Sequence, residues 1–285
     1  MNKETAKLYD RSIRTWGVDA QNRILSAHLL IIGYDALMSE ILKNVVISGV
    51  SKLTVCDTFK SQNVLTTQDD KNHLFSPVIG KDRVDSVNNV NSVNTELKVE
   101  IIDESGITED LLSKVSMVVI TSPEEKIISK IETCGNPILF CRSVGYTGVF
   151  YLKNVNGHTK NIKDCIVSQY PPLPAREVQR LYYDQFNKQT TYNQYLLFKN
   201  VLETSEECLK VYLGVGLDWA PVNSIVGSLA AQEVINVIGG RETYTSKECG
   251  AFLYDGVNNI GDVFPTEKAE NKTITKVEHK CIDLD

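Results

Sequence analysis

The sequence predicts an α/β fold in which a mostly parallel sheet is covered by helices on both faces. Apolar runs of strand length alternate with segments of helical spacing through the first half of the chain. The clearest example is one βαβ unit, with a buried strand at Leu29–Ile32, a helix from Ala36 to Val46, and a strand at Leu53–Cys56 that ends at Asp57. We therefore expect parallel strands joined by crossover helices.

Further elements continue this alternation. We predict helices at 80–94, 110–114 and 123–133, and strands at 97–102, 117–121, 138–141 and 148–152. Residues 154–213 form a predicted small helical insertion. The main fold resumes in a long helix, Val222–Ile238, which stops at two glycines, and it closes with a strand at Ala251–Tyr254. The main domain is thus 1–153 and 214–265, and the polar residues 266–285 are expected to form a flexible tail.

A glycine-poor turn follows the first strand. In nucleotide sites built on this turn, three glycines let the backbone approach the phosphates, whose charge rests on the helix N-terminus. Only Gly33 remains here, because the other two positions hold Asp35 and Met38. Met38 adds bulk, and a carboxylate touching a phosphate costs about 4 kcal/mol at an effective dielectric near 20. Asp is also a favoured N-cap, so we interpret the turn as retained and the phosphate site as lost.

Composition excludes several classes of protein. The 285 residues are 42% hydrophobic and 23% charged, as in ordinary globular proteins, and the net charge of −6 does not indicate binding to nucleic acid or an anionic membrane. The start of the chain is too polar for a signal peptide, and no apolar run approaches membrane-spanning length. The four histidines, His28, His73, His158 and His279, are far apart, so no metal site is predicted.

The seven cysteines are scattered, mostly in apolar surroundings, which argues for reduced thiols in the cytosol or nucleus. Cys141 is placed at a strand end beside Arg142, whose positive charge is able to lower the pKa of a thiol. The preferred alternative is a buried, inert thiol. Trp16 is interpreted as a packing or interface anchor.

Several stretches, in this order, resemble the ubiquitin-like-protein-activating enzymes. They are YDRSIRTWGVDAQNRILSAHLLIIG, SEILKNVVISGVSKLTVCD, IGKDRVDSVNNVNSVN, WAPVNSIVGSLAAQEVINVIGG and FLYDG, and together they cover most of the chain from Leu8 to Val263. The resemblance implies a Rossmann-like, ThiF-type adenylation fold. Because the family pairs an active half with an inactive one, a chain of this length corresponds to one half.

Departures from the active pattern point to the inactive half. In the active half, an Asn and an Arg follow the ribose Asp, and a later strand ends in an Asp. Here Asn63 follows Asp57 but no arginine comes after it, and the strand that ends at Thr121 has no aspartate. Paired CxxC zinc sites are also missing. Among inactive halves, the smaller, non-catalytic subunits of SUMO-activating enzymes are most similar. The resemblance implies a heterodimer with a larger catalytic subunit, SUMO as the modifier, ATP and Mg²⁺ bound by that partner and not stably by this chain, and a location in nucleus and cytoplasm.

Alternatives remain open at this point. The chain is also compatible with the inactive half of a neddylation or ubiquitin activator, a homodimeric sulfur-carrier adenylyltransferase, an NAD-dependent dehydrogenase, or a regulatory binder of ubiquitin-like proteins. The broken glycine turn argues against the dehydrogenase. The short insertion argues against the neddylation subunit, which carries a large one.

The resemblance also implies roles for single residues. Arg11 is expected to reach across the interface to ATP bound by the partner, with Arg14 in support, whereas a solvated pair on a helix face is the alternative. Asp57 is interpreted as a relic of a ribose site. The C-terminal residues Ile282, Asp283, Leu284 and Asp285 resemble a SUMO-interacting motif, an apolar strand flanked by acids.

Overall fold

An eight-stranded sheet organises the chain. The computed structural model describes residues 3–56, 94, 96–121, 125–132, 134–144, 147–155, 220–247, 250–256 and 259–265. The strands are β1 (His28–Ile32), β2 (Lys52–Cys56), β3 (Lys98–Ile102), β4 (Met117–Ile120), β5 (Ile138–Val144), β6 (Thr147–Lys153), β7 (Gly250–Asp255) and β8 (Ile260–Pro265). Their order is β3-β2-β1-β4-β5-β6-β7-β8. The first five strands in this order are parallel to one another, and β5, β6, β7 and β8 pair antiparallel with their neighbours.

Helices cover both faces of the sheet, as predicted. They are α1 (Lys3–Leu8), α2 (Asp10–Trp16), α3 (Val18–Ser26), α4 (Ala36–Ile47), α5 (Glu109–Lys114), α6 (Glu125–Glu132), α7 (Ala220–Ile238) and α8 (Tyr244–Lys247). One apolar core joins α3, α4 and α7 to one face, and a second joins α5 and α6 to the other. The βαβ unit at the start of the sheet is confirmed, with His28 paired to Lys52.

Two parts of the prediction are wrong. Ala251–Tyr254 does not close the sheet, because β8 follows it as an edge strand. Ile260 and Asp262 of β8 are exposed while Val263 is buried, so backbone pairing rather than an apolar pattern defines this strand. The helices before β1 were also not predicted; α1 and α2 bury no side chain, whereas α3 buries Ala20, Gln21 and Ile24.

Other expectations lie outside the described residues. Of the helix predicted at 80–94, only Asn94 is described, and it is not helical. Of the insertion at 154–213, only Asn154 and Val155 are described. Asp57 and the tail at 266–285 also lie outside them. Within the described ranges, no helix has the length and apolar character needed to cross a membrane.

Helices α4 and α7 approach closely at a glycine. A Cβ built on Gly227 would lie 2.7 Å from Cβ of Glu40, which is closer than side chains tolerate. Nearby, Nδ2 of Asn44 lies 3.4 Å from Oγ of Ser228. The small residue therefore sets the spacing of the two helices over the sheet.

Replacing this glycine is expected to separate the helices. Gly→Ala within a helix usually stabilises by roughly 0.5–1 kcal/mol, whereas overpacking costs about 1–3 kcal/mol. We expect Gly227→Ala to lower the free energy of unfolding in urea. Gln232→Ala, an exposed change in the same helix, is the control and should stay within about 0.5 kcal/mol. Equal stability of the two variants would contradict the close approach.

A buried histidine makes stability depend on pH. Nε2 of His28 lies 2.8 Å from Oγ1 of Thr54. Burial lowers the pKa of His28, and the positive charge of Lys52 lowers it further, while Glu100 and a hydrogen bond to the Lys114 backbone act in the opposite direction. Because the folded pKa lies below the unfolded value of about 6.5, the unfolded chain takes up this proton first as pH falls.

We expect the contribution of His28 to be full above about pH 6.5 and to be lost as pH falls through its folded pKa. Urea unfolding measured between about pH 5.5 and 7.5 should show a smaller dependence of stability on pH for His28→Gln, which does not titrate there, than for the unsubstituted chain. Identical slopes would exclude His28 as the titrating group.

Candidate functional site

The sequence-predicted turn lies at the point where the strand order reverses. The chain runs from β1 outward to β2 and β3, then returns to β4 on the other side of β1. In such sheets, ligands bind outside the carboxyl ends of the strands at this switch point. Gly33 follows β1 with φ of 82°, and its N–H donates to the Cys56 carbonyl at 2.9 Å. A left-handed backbone favours glycine, which accounts for this residue.

Asp35 occupies the helix end that would otherwise face a phosphate. It is the N-cap of α4, and its Oδ1 accepts from the Met38 N–H at 2.8 Å. The predicted cap is confirmed. An anion at a helix N-terminus relies on the same unpaired N–H groups. The carboxylate therefore already satisfies part of this donor set.

Bulky side chains fill the space beside the turn. Tyr34 and Met38 are both fully buried, in the core shared by β1 and α4. This agrees with the expected effect of Met38. Opening the turn to a nucleotide would require displacing apolar groups that are packed at the density of a protein interior.

Arg142 of β5 also belongs to this site, although the sequence singled it out only as the neighbour of Cys141. Burial lowers the pKa of the Arg142 guanidinium, and the negative charge of Asp35 opposes that shift. A lone arginine within the apolar run ILFCRSV was the available signal, since charged side chains are seldom buried unpaired.

The placement of Cys141 at a strand end is wrong, because it lies within β5. Burial raises the pKa of the Cys141 thiol well above its ordinary value, and Asp35 adds to the effect. The expected burial of this thiol is thus confirmed, and a raised pKa disfavours its reactive thiolate form. Of the cysteines in the described ranges, Cys56 and Cys141 are buried and Cys134 is partly buried.

Neutral polar side chains also lie near the ends of β4 and β5, beside the switch point. Thr121 follows β4, and its N–H donates to the Ile32 carbonyl at 3.1 Å. Ser143 of β5 hydrogen bonds to Asn223 in the first turn of α7. Both Thr121 Oγ1 and Asn223 Nδ2 are buried without a partner among the described residues. The part of the chain that the structure describes also contains no group of three or more His, Cys, Asp or Glu side chains suited to bind a metal ion.

The two N-terminal arginines lie elsewhere. Helix α2 packs beside the turn that follows α4, since a Cβ on Gly49 would lie 2.9 Å from Cζ of Tyr9. That turn leads into β2 at the amino end of the parallel strands, whereas Asp35 lies at their carboxyl end. Helix α4 has 12 residues and thus separates these positions by about 18 Å. The structure does not bring Arg11 or Arg14 to the chain's own switch point.

Arg11 and Arg14 also differ from each other. Nη2 of Arg14 forms an ion pair with Oδ2 of Asp10 at 2.9 Å, and both side chains are exposed. Arg11 is exposed, and its guanidinium makes no ion pair or hydrogen bond within the described part of the chain. Arg11 therefore has its full set of donors available.

The capping role of Asp35 can be measured separately from its charge. Asp35→Ala is expected to lower the free energy of unfolding by about 1 kcal/mol, because the Met38 N–H loses its acceptor. Asp35→Asn keeps a good cap and should retain most of that stability. Urea denaturation compares them. If the Asn and Ala variants lose the same stability, the carboxylate stabilises the fold through its charge and not as a cap.

Known proteins are similar to nearly the whole chain. "SUMO-activating enzyme subunit 1" of Dictyostelium discoideum is 27% identical over 90% of this chain and 92% of that protein. "DNA damage tolerance protein rad31" of Schizosaccharomyces pombe is 26% identical over 85% and 92%, respectively. "NEDD8-activating enzyme E1 regulatory subunit" of Xenopus laevis is 33% identical, but over 61% of this chain and 32% of that protein.

Solved structures share the fold. E. coli MccB in complex with MccA-N7isoASN superposes with a TM-score of 0.61 and 17% identity, over 93% of this chain and 73% of MccB. PaaA superposes with a TM-score of 0.64 and 15% identity, over 93% and 84%. The expected Rossmann-like adenylation fold is thereby confirmed. The ThiF family pattern matches residues 9–275, and the chain belongs to the ThiF family.

Proposed function

We propose that this chain is the non-catalytic, required subunit of a heterodimeric SUMO-activating enzyme. The larger subunit binds ATP and Mg²⁺, adenylates the C-terminal glycine of SUMO, and receives the modifier on a cysteine. Similarity to SUMO-activating enzyme subunit 1 along nine-tenths of the chain supports this choice of modifier. We propose that the complex acts in the nucleus and cytoplasm.

The observation that carries the proposal is the separation of two features along α4. At its N-terminus, Asp35 caps the helix and Met38 is fully buried, which supports a phosphate position closed by the chain itself. Near its C-terminus, about 18 Å away, Arg11 is exposed. An arginine placed there serves a phosphate on another chain, because its own site is closed and distant.

Arginine suits such a role across an interface. Its planar guanidinium stays charged at all physiological pH values and matches phosphate oxygens in pairs. During adenylation, negative charge develops on the phosphate oxygens, and a donor fixed in advance stabilises it without reorganisation. Arg14, paired with Asp10, is assigned a supporting role.

Several large apolar side chains are exposed at the ends of the helices near this arginine. Leu8 is 74% exposed and directly precedes Tyr9, and Ile47 is 55% exposed at the C-terminal end of α4. Val18, which begins α3, is half exposed. Large exposed apolar side chains on the same side of a molecule as exposed arginines are more typical of a protein interface than of a solvated helix face. This grouping supports a partner subunit on the α2 side of the molecule.

A second candidate has one observation in its favour. The NEDD8-activating enzyme E1 regulatory subunit of Xenopus laevis is 33% identical, a higher value than for the SUMO relatives. The alignment, however, leaves most of that protein unmatched. Thioester assays with SUMO, a NEDD8-type modifier and ubiquitin, after co-expression with candidate large subunits, separate the two functions. ATP–pyrophosphate exchange by the purified chain alone would support a self-sufficient adenylyltransferase instead.

Removing the arginine is expected to affect adenylation and not assembly. In the heterodimer, Arg11→Ala should lower the rate of ATP–pyrophosphate exchange on the order of 10²-fold, as for loss of one charged donor in a transition state. Arg11→Lys should recover only part of the rate, because an ammonium keeps the charge but lacks the planar pair of donors that a guanidinium offers to two oxygens. Size-exclusion chromatography should show an intact heterodimer in each case.

Arg14→Ala is the matched control from the same helix and should lower exchange much less. Full activity of Arg11→Ala would exclude the role across the interface, while leaving the choice of modifier to the thioester assays. An equal loss for both arginines would show that general positive charge, and not one positioned guanidinium, supports the reaction.

A further inference from the structure

Helix α2 is attached to the molecule at its two ends. It has 7 residues and none of them is buried, so burial of an apolar face does not hold it in place. A short helix of this kind is marginal without tertiary contacts. Its orientation, and with it the direction of Arg11, depends on what binds the residues at each end.

The N-terminal attachment is a tyrosine ring against bare backbone. Gly49 has φ of 105°, and a Cβ there would lie 2.9 Å from Cζ and 3.0 Å from the hydroxyl oxygen of Tyr9. Burial raises the pKa of Tyr9, and the negative charge of Glu96 raises it further. Any side chain at position 49 would displace the ring, so the glycine is required by both conformation and contact.

The C-terminal attachment is a relay of two hydrogen bonds. Nε1 of Trp16 donates to Oε1 of Gln21 at 2.8 Å. Nε2 of Gln21 donates to the Ser48 carbonyl at 3.0 Å, and Gln21 is fully buried. Trp16 also packs against the main core. The amide of Gln21 thereby connects the end of α2 to the residue next to Gly49.

The receiving turn is itself held in place. Nδ2 of Asn94 lies 3.4 Å from the carbonyls of both Val46 and Val50, on either side of Ser48 and Gly49. The turn therefore contacts α2, α3 and the segment before β3. Both ends of α2 are bound to adjacent residues of a turn that is fixed from three directions.

We propose that Tyr9, Gly49, Trp16 and Gln21, which we call the α2 clamp, are positioning residues that orient Arg11 toward the partner's ATP. The functional half of this inference rests on the proposed function. Arg11 lies two residues after Tyr9, and its backbone carbonyl accepts from Oγ1 of Thr15 at 3.0 Å. A misplacement of about 1 Å at a reacting group can cost on the order of 10²-fold in rate.

A structural measurement tests the clamp in the isolated full-length chain. The sequence has two tryptophans, so Trp219→Phe leaves Trp16 as the reporter. Tyr9→Ala in this background is expected to increase acrylamide quenching of Trp16 at least twofold, whereas Tyr9→Phe, which keeps the ring, should match the parent. Gly49→Ala should resemble Tyr9→Ala. Unchanged quenching in both alanine variants would exclude the clamp, whatever the function of the protein.

A kinetic measurement in the heterodimer tests whether the α2 clamp positions Arg11 for adenylation. Tyr9→Ala is expected to lower ATP–pyrophosphate exchange at least tenfold without loss of assembly, and Tyr9→Phe to retain it. In the Arg11→Ala background, Tyr9→Ala should cause no further loss, because the two changes remove one function. If the fold-losses in exchange rate from Tyr9→Ala and Arg11→Ala instead multiply in the double variant, Tyr9 acts independently of Arg11 and the positioning role is wrong.

The outcomes separate the two proposals. Activity that is insensitive to Arg11→Ala contradicts the role of Arg11 in the complex, while the quenching result still decides whether the clamp exists. Activity that is sensitive to Arg11→Ala and insensitive to Tyr9→Ala supports the role of Arg11 and rejects the clamp as its positioning device.

Discussion

The length and direction of α4 are the constraints on which the rest of the molecule depends. In a parallel unit, the helix begins at the carboxyl end of one strand and returns to the amino end of the next. Its first turn therefore lies at the switch point, and its last turn lies on the opposite side of the sheet. Glu40 in its middle meets Gly227 of α7, which holds the helix against the sheet. Both features assigned to function are placed by the two ends of this one helix.

At the N-terminus of α4, Asp35 stands where a nucleotide-binding turn has glycine. The aspartate has two physical effects, and both disfavour phosphate binding there. The carboxylate of Asp35 stabilises the helix by accepting from its first turn. The same negative charge repels a phosphate at that position. The negative charge of Asp35 acts on the pKa of Arg142, so the chain itself supplies a cation near this carboxylate. The N-terminus of α4 is thus still occupied by an anion, but that anion is the carboxylate of Asp35 and not a bound phosphate.

Much of the architecture followed from local pattern. The βαβ unit, α5, α7 and the central strands were predicted because buried parallel strands are apolar runs and core helices carry apolar residues at helical spacing. The same reasoning failed for β8, α1 and α2. These elements bury few side chains, so their existence depends on backbone pairing or end contacts that leave no period in the sequence. The turn after β1 and its N-cap at Asp35 were predicted correctly because glycine and N-cap preferences are properties of single positions.

By itself, the sequence determined the order of the elements, the cap at Asp35, the loss of two glycines and the motif that contains Arg11. Only the tertiary structure decided which of these features meet. It placed Arg142 near Asp35, although 106 positions lie between them, and it placed Tyr9 on Gly49 and Arg11 far from the chain's own turn. The physical reason is that residue patterns encode the period and burial of each segment. Which ends of separate segments come together depends on helix length, strand direction and the close approach of backbones.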